Sequence, residues 1–408
     1  MKTRFALVLS VLLLALQSSA GGLVIEKRFG KSFRGRYGAL PVVVLRGTDA
    51  ERGEAHGYLC NQEIEAMLAG YVVPAARQAA AQSGITFAQF RAKVLATFAC
   101  PIPYRRELEG MIRGIARAAG EANVLPPQIE GRRLDADDML FANALPDWHG
   151  VACSSYAAWD DKTCMVGRNL DYGVAPALLR AQCVLAMVPD EPGRKPTLGI
   201  GVAGLVGTLT AMNDDGVTVA IHDAGRLARG GAPHTPRIFV LRTILERAKR
   251  GGAADFAQKL LGRTSPAVGA NVLLVDPGAT PPSTIMEWDR RRGEKTFVTV
   301  RNPRSGEPFL ITTNHFRERA KPKTECGRYR KLHKALSQRA KRTVPGTTEA
   351  WRILRQSHAG GATILSTLIL PGQRRWLPVF SRSTTAGTTG RPRTTFTWDD
   401  ILADTPTR

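Results

Sequence analysis

The sequence has little of what a metal site needs. Its six cysteines form no CxxC pair, its seven histidines are scattered, and no HExxH occurs. Zinc sites of the usual spacing are therefore excluded, and neither a metal nor another cofactor is expected. Long hydrophobic runs are also scarce. Phe5 to Leu16 is the one such run, too short for a comfortable membrane span, and no second follows. There is no internal repeat, which excludes solenoids and propellers. No RNA- or DNA-binding motif is present, so nucleic acid is not expected as a partner.

What is present begins with a basic n-region (Lys2, Arg4), the apolar run, and Ser18-Ser19-Ala20. That pattern predicts a cleavable signal peptide over 1–20 and a secreted or periplasmic protein. A short membrane-anchoring N-terminus is the alternative. The next residues include no cysteine, which argues against a lipoprotein. The full sequence is 43% hydrophobic and 23% charged, as in soluble globular proteins. Export places the cysteines (60, 100, 153, 164, 183 and 326) where disulfides are allowed. If one is a catalytic thiol, five are left, and at least one of those is unpaired. The net charge is +22, with basic clusters at Arg290–Arg292, Arg317–Arg330, Arg339–Arg342 and Arg374–Arg375. They read as a solvated basic face, or as attraction to an anionic envelope surface or substrate.

Two halves differ in pattern. After a short strand at Pro41–Leu45, the first half is mainly helical. Helices are expected over Asn61–Gln82, Thr86–Thr97, Pro103–Ala122 and Asp135–Ala144, with apolar stripes such as Leu108, Met111, Ile112 and Ile115. The second half opens with successive hairpins. Ser154–Trp159 and Thr163–Arg168 flank Asp160-Asp161-Lys162, Gln182–Val188 and Thr197–Val202 flank a turn with Pro192-Gly193, and Thr208–Met212 and Val217–His222 flank Asn213–Gly216. Helices and further strands follow to the end. Hairpin connections of this kind predict a layered α+β fold rather than a doubly wound parallel sheet.

Cys153 starts the first hairpin, and Gly167-Arg168-Asn169-Leu170-Asp171 lies on its return arm. The hairpin brings Arg168 and Asp171 back beside the thiol. A cation stabilises thiolate, and a carboxylate orients an amine or carries protons. A hairpin with polar ends is the bland reading of the same spacing.

A cysteine at a strand start followed by Arg-Asn-x-Asp resembles the choloylglycine hydrolase and penicillin acyltransferase superfamily of N-terminal-nucleophile hydrolases. Acid ceramidases and phospholipase B-like proteins are further relatives. Arg46-Gly47 with Gly53, His56 and Gly57, then Glu107–Gly110, Met212–Gly216, Thr313–Phe316, Arg328 and Phe396–Trp398 resemble further parts of the penicillin acyltransferase branch, in order. The resemblance implies a four-layer αββα sandwich of two antiparallel sheets between helical layers. It also implies self-cleavage between Ala152 and Cys153, after which the Cys153 thiol attacks an amide or ester carbonyl with its own α-amine as base. An α-amine titrates at about 8, close enough to neutrality for that task.

By this resemblance Arg168 polarises the sulfur, Asp171 holds the amine, Asn213 donates to the oxyanion, Asn314 supports the nucleophile, and Arg328 pins the site. Asn213 also suits a polar turn, Asn314 a helix cap, and Arg328 a solvated basic run. His56 and His315 are read as structural. Ser154 and Ser155 are read as making local hydrogen bonds, with a nucleophile role as the alternative. Two residues depart from the pattern: Ala152 stands where the acyltransferase has Gly, and Cys326 where Ser is usual, which a local disulfide would explain. The expected division is a pro-region over 21–152, remaining bound as an α chain, and a catalytic β chain over 153–408. The expected activity is hydrolysis of a linear amide of an N-acyl compound, or transfer of its acyl group. A lipid hydrolase of ceramidase or phospholipase B type and a non-catalytic envelope binding protein are the alternatives.

Overall fold

The computed structural model describes residues 22–120, 132–150, 152–227, 233–290, 296–319, 326–339, 343–388, 390–391 and 393–403. The expected signal peptide lies outside the described residues. The elements, in order, begin with β1 (Leu23–Phe29), β2 (Ser32–Tyr37), β3 (Leu40–Gly47), α1 (Asp49–Leu59), α2 (Asn61–Met67), α3 (Val73–Gln82), α4 (Phe87–Thr97), α5 (Ile102–Ala119), α6 (Ala136–Asn143) and the single turn α7 (Leu145–Trp148). Then come β4 (Ala152–Trp159), β5 (Cys164–Asp171), α8 (Pro176–Ala181), β6 (Gln182–Pro189), β7 (Thr197–Val202), β8 (Thr210–Asn213), β9 (Thr218–Leu227), α9 (Arg237–Arg247) and α10 (Ala253–Arg263). Last are β10 (Val268–Val275), β11 (Ser283–Arg290), β12 (Thr296–Arg301), β13 (Phe309–Thr312), α11 (Gly327–Ser337), α12 (Thr347–Arg355), β14 (Thr363–Leu370), β15 (Arg375–Phe380), β16 (Phe396–Thr397) and α13 (Trp398–Leu402).

The strands form two sheets, ordered β1-β2-β3-β6-β7-β8-β9-β10-β11-β12 and β13-β4-β5-β14-β15-β16. The smaller sheet is buried on both faces, and its alternation says against what. Tyr156, Ala158 and Met165 pack with Leu332, Leu336, Trp351 and Leu354 of α11 and α12. Cys153, Ala157, Val166 and Leu170 face the other way, into the core shared with the large sheet. On the large sheet's outer side lie α1, α9 and α10, whose buried residues join that same core. This is the expected four-layer αββα sandwich.

Two features were not visible in the sequence pattern. Beyond the strand expected at Pro41–Leu45, the segment before Cys153 supplies two more, β1 and β2, to the large sheet, and β3 pairs parallel with β6, from Val42↔Val184 to Gly47↔Pro189. The helix expected over Asn61–Gln82 is divided by a π-helical turn at Leu68–Val72, just ahead of Pro74. Pro74 sits in the first turn of α3, where its missing N–H costs least.

Helices α1 and α5 cross at backbone contact. A Cβ on Gly53 or Gly57 would meet the carbonyl of Glu107 or Met111 at 2.0 Å, and one on Gly110 or Gly114 the carbonyl of Ala50 or Glu54 at 2.3 or 2.0 Å. Glycine is required at all four positions. Thr48 and Glu51 form a capping box that starts α1.

Candidate active site

The β4–β5 hairpin sets the first geometry. Its register pairs Ala152 with Asp171, Cys153 with Leu170 and Ser155 with Arg168. On the other side, β13 pairs Thr312 with Ser155, so two residues further on Asn314 stands opposite Cys153. β14 adds Thr363 beside Asp171. Four strand ends thus converge at one end of the small sheet.

The Cys153 main chain is clamped there. Its N–H donates to Asn314 Oδ1 at 2.8 Å. Arg328, from the first turn of α11, donates to Cys153 O at 2.8 Å, to Asp171 Oδ2 at 3.0 Å and to Asn314 Oδ1 at 2.8 Å. One guanidinium therefore ties together three of the residues expected at the site. Asp171 Oδ1 accepts from Thr363 Oγ1 at 2.6 Å. Burial raises the Asp171 carboxyl above its ordinary value, and Thr363, Arg328 and Arg168 oppose that.

The Cys153 side chain is fully buried. Burial pushes its thiol up to about 12. The Arg168 charge acts downward, and the Asp223 and Asp171 carboxylates add to the rise. Arg168 is itself fully buried. Its charge acts on the Cys153 thiol, to which it is hydrogen-bonded, and on the Asp171 carboxylate. A buried cation is costly to fold around unless such groups compensate it.

Asn213 is not brought to this site. Its Oδ1 accepts the N–H groups of Asp215 (3.1 Å) and Val217 (3.0 Å), and its Nδ2 donates to Leu245 O (2.9 Å) and Ala248 O (3.1 Å). All four of its hydrogen-bonding positions are used. Its turn abuts Pro371, beyond the far end of β14, roughly 25 Å of strand from Thr363. The oxyanion role expected of Asn213 is thus corrected to a structural one: it fastens the β8–β9 turn to the end of α9.

Residues not singled out from the sequence complete the site. Asp223, on β9, accepts through its backbone O from Asn314 Nδ2 at 2.9 Å. Its carboxylate pairs with Arg237 Nη2 at 2.8 Å. Arg237, buried, also donates Nε to Asp147 at 2.5 Å and Nη2 to Pro146 O at 2.7 Å. An ion chain Asp147–Arg237–Asp223 therefore joins the segment before Cys153 to the site. No local motif marks these residues. The available signal was that Asp223 lies on the strand leaving the Asn213 turn, so the right motif pointed to the wrong end of its strand.

Ser155 Oγ bonds His222 Nε2 at 2.8 Å. Burial and the Arg168 charge hold His222 well below its usual range, and the pair is sealed between the sheets, so it serves the core. His56 accepts the Gly204 N–H at 2.9 Å. His315 is half-buried, with its O accepting from Asn271 Nδ2 at 2.9 Å. Cys326 caps α11 as a free thiol and is not in a local disulfide. Burial would raise it, yet N–H groups of Tyr329 and Arg328 and the Thr313 hydroxyl hold it below its ordinary value. Among the described residues no group of His, Cys, Asp and Glu side chains could hold a metal ion.

Beside Cys153 lies a narrow apolar cavity. Leu170 and Leu365, register neighbours of Cys153 on the same face, line it. Ile64, Met67, Leu68 and Met139 of the preceding segment close it.

No family model matches the chain, and no curated protein matches it. Among solved structures 79 chains match. One is the N-acylethanolamine-hydrolyzing acid amidase ortholog of Caenorhabditis elegans, 19% identical, covering 54% of this chain and 93% of that one, with a TM-score of 0.42. Two others are variants of the conjugated bile acid hydrolase of Clostridium perfringens. Each is 12% identical and covers 61% of this chain and 98% of the other, with TM-scores of 0.39 and 0.40. At TM-scores this low, function rests on the side chains of this chain itself.

Proposed function

We propose that the chain is a self-cleaving cysteine amidohydrolase of the N-terminal-nucleophile type. The observation that carries this is the clamp on Cys153. Asn314 Oδ1 accepts from its nitrogen while Arg328 grips its carbonyl, Asp171 and Asn314 together. An ordinary strand residue needs no such attention at its main chain. A residue that becomes an N-terminus does, because its new amine must be held as a base beside its own thiol.

In this reading the Ala152–Cys153 bond breaks and the freed α-amine stays on Asn314 Oδ1. The amine takes the thiol proton, and the sulfur adds to the substrate's carbonyl carbon. Arg168 balances the charge that develops. The C–N bond then breaks, the amine returns the proton to the leaving nitrogen, and water releases the acyl group from the thioester. An acceptor amine in place of water would make the same chemistry acyl transfer.

The substrate is a linear amide of an N-acyl compound, and the apolar cavity beside Cys153 favours an apolar acyl group. That lining also supports a lipid-directed hydrolase as the second reading. A purely binding role gives no reason for a buried cation, Arg168, set against the Cys153 thiol. The pro-region remains as the α chain, because it forms one wall of the cavity. The protein is exported, where its basic surface meets an anionic envelope.

Intact mass spectrometry with N-terminal sequencing tests the reading. A fragment beginning Cys153-Ser154-Ser155 is expected, with turnover on an acyl-amide panel exceeding that on phospholipids. A whole, thiol-unreactive chain overturns the enzyme reading.

A further inference from the structure

The small sheet has a second face. Asn169, Ser366 and Val379 stand directly opposite one another on β5, β14 and β15. They project toward α12, away from the face that carries Cys153 and Leu170. Together they floor a cavity of about 380 Å³, walled by α12 and by the chain just before β16. That volume is of the order usual for small-molecule sites.

The polar groups of the cavity fall into two sets. Those of the floor are satisfied. The Gly360 N–H donates to His358 Nδ1 at 3.1 Å, so the ring proton sits on Nε2, which donates to Thr388 Oγ1 at 2.9 Å. Thr388 Oγ1 meets Ser366 Oγ at 2.8 Å, Ser366 donates to Asn169 Oδ1 at 2.7 Å, and Asn169 Nδ2 donates to Leu354 O at 3.0 Å. This chain needs no ligand.

The walls are different. Arg355, Arg391 and Arg393 all line the cavity, and none has a carboxylate partner among the described residues. Other arginines of this half do: Arg319 has Asp289, Arg339 has Glu349 and Arg374 has Asp399. The described lining includes no Asp or Glu. Arg393 lies over the Trp351 ring, 4.9 Å from its centre. The Trp351 ring lines the cavity, and its Nε1–H has no acceptor. Three like charges around one concavity repel one another until an anion enters.

We propose that this cavity binds a phosphate monoester. The charge count selects the class. A carboxylate or a phosphodiester brings a single negative charge. A phosphomonoester brings about −1.5 to −2 and three acceptor oxygens, one for each guanidinium. Arginine's planar fork suits such oxygens. Leu354, Val379 and Trp351 supply an apolar side for the organic part of the ester. The ligand is either a soluble ester or the headgroup of a lipid.

The test is calorimetric titration of the full chain with phenyl phosphate at about 0.15 M salt. Saturable binding is expected, with benzoate at least about tenfold weaker. A charge-assisted contact is worth about a factor of ten. Arg391→Gln and Arg393→Gln should therefore each weaken binding about tenfold, and loss of all three arginines by at least about 100-fold. Surface changes of this kind leave the fold intact. Arg352→Gln is the control, since Arg352 is exposed on the same helix but outside the cavity. It should bind phenyl phosphate as wild type does. Equal losses in Arg352→Gln and Arg393→Gln would mean diffuse attraction to a chain of net charge +22, and overturn the site. Benzoate binding as tightly as phenyl phosphate overturns it too, as does the lack of saturable heat at millimolar phenyl phosphate. Vesicles containing phosphatidate, a lipid monoester, separate the two sources. Flotation with them, competed by phenyl phosphate and lost in Arg393→Gln, makes the ligand a lipid headgroup. Phenyl phosphate binding without flotation makes it a soluble ester.

Discussion

Arg242 donates to both oxygens of Glu107, at 2.5 and 2.7 Å, and each side chain is only 1% exposed. Glu107 precedes Cys153 and Arg242 follows it. Arg52 adds its own bonds to Glu107, Asp49 and Glu191, and Arg194 joins Asp49 to Glu246. This buried network crosses the proposed cleavage point several times, as does the β3–β6 pairing. Cleavage should therefore divide the chain without dividing the fold. Two bands on a denaturing gel should run as one species in size exclusion. Glu107→Gln leaves buried guanidinium groups underpaired and should cost about 3–5 kcal/mol in urea unfolding.

Cys153→Ala should leave the chain whole and abolish turnover, and Cys153→Ser should cleave while losing most activity. Asn213→Ala gives the contrast. It leaves two carbonyls and two N–H groups of the β8–β9 turn without partners, so it should lower stability by about 1–3 kcal/mol or more. Turnover per folded molecule should match wild type. A loss of about 100-fold in kcat/KM at normal stability would instead return Asn213 to the oxyanion.

Arg168→Met should separate stability from chemistry. Replacing a buried cation with an apolar chain of similar length is expected to leave the melting temperature equal or higher. The Cys153 thiol would then lose the Arg168 charge, which favours thiolate. Its alkylation rate by iodoacetamide should fall across neutral pH, and activity should fall at least tenfold. An Arg168→Met protein that melts much lower but alkylates normally would make Arg168 structural.

What the sequence made legible follows from locality. Cys153, Arg168 and Asp171 share one hairpin, so strand periodicity alone brings them together. Asn314 and Arg328 lie more than 140 residues away, and only the resemblance pointed to them. The β4–β13 register then explains why Asn314 arrives. Strands β1 and β2 were missed because their alternation is interrupted by charge: Glu26, Lys27, Arg28, Arg34 and Arg36 lie on or near a sheet edge. Asp223 was missed because its ties to Arg237 and Asn314 are contacts in space only. Asn213 was misplaced because a polar turn and a catalytic turn have the same composition.

Stability should depend on pH through His56. Burial lowers its folded pKa to about 4, while the unfolded value is about 6.5. The neutral ring is thus favoured by folding. Its contribution, about 3 kcal/mol by linkage, is complete above pH 6.5 and is lost as pH falls toward 4. His222 acts in the same sense. Glu107, held at about 2 by Arg242 and Arg52 against its burial, contributes above its ordinary carboxylate value and loses that only on further acidification. Melting temperature should therefore be level above pH 6.5, fall between about 6.5 and 4, and fall again below. His56→Gln, which keeps an acceptor for the Gly204 N–H, should flatten part of the first fall. An unchanged slope would remove His56 from the account.

The apolar cavity makes its own prediction about substrate. Gly201 lines it, and a Cβ built there meets nothing within 4 Å. Gly201→Phe should therefore direct its ring into open space rather than into backbone, filling the slot without straining β7. The clamp on Cys153 is untouched, so self-cleavage should proceed normally. Long-chain acyl amides should lose kcat/KM by tenfold or more, since each buried methylene contributes about 0.8 kcal/mol. Short-chain amides that never reach the slot should turn over as before. If Gly201→Phe lowers both equally, the acyl group lies elsewhere and the cavity is only a packing defect between the pro-region and the sheets. If long-chain turnover alone is lost, the wall contributed by Ile64, Met67, Leu68 and Met139 is part of the substrate site, and the α chain is needed for the reaction after it has been cut.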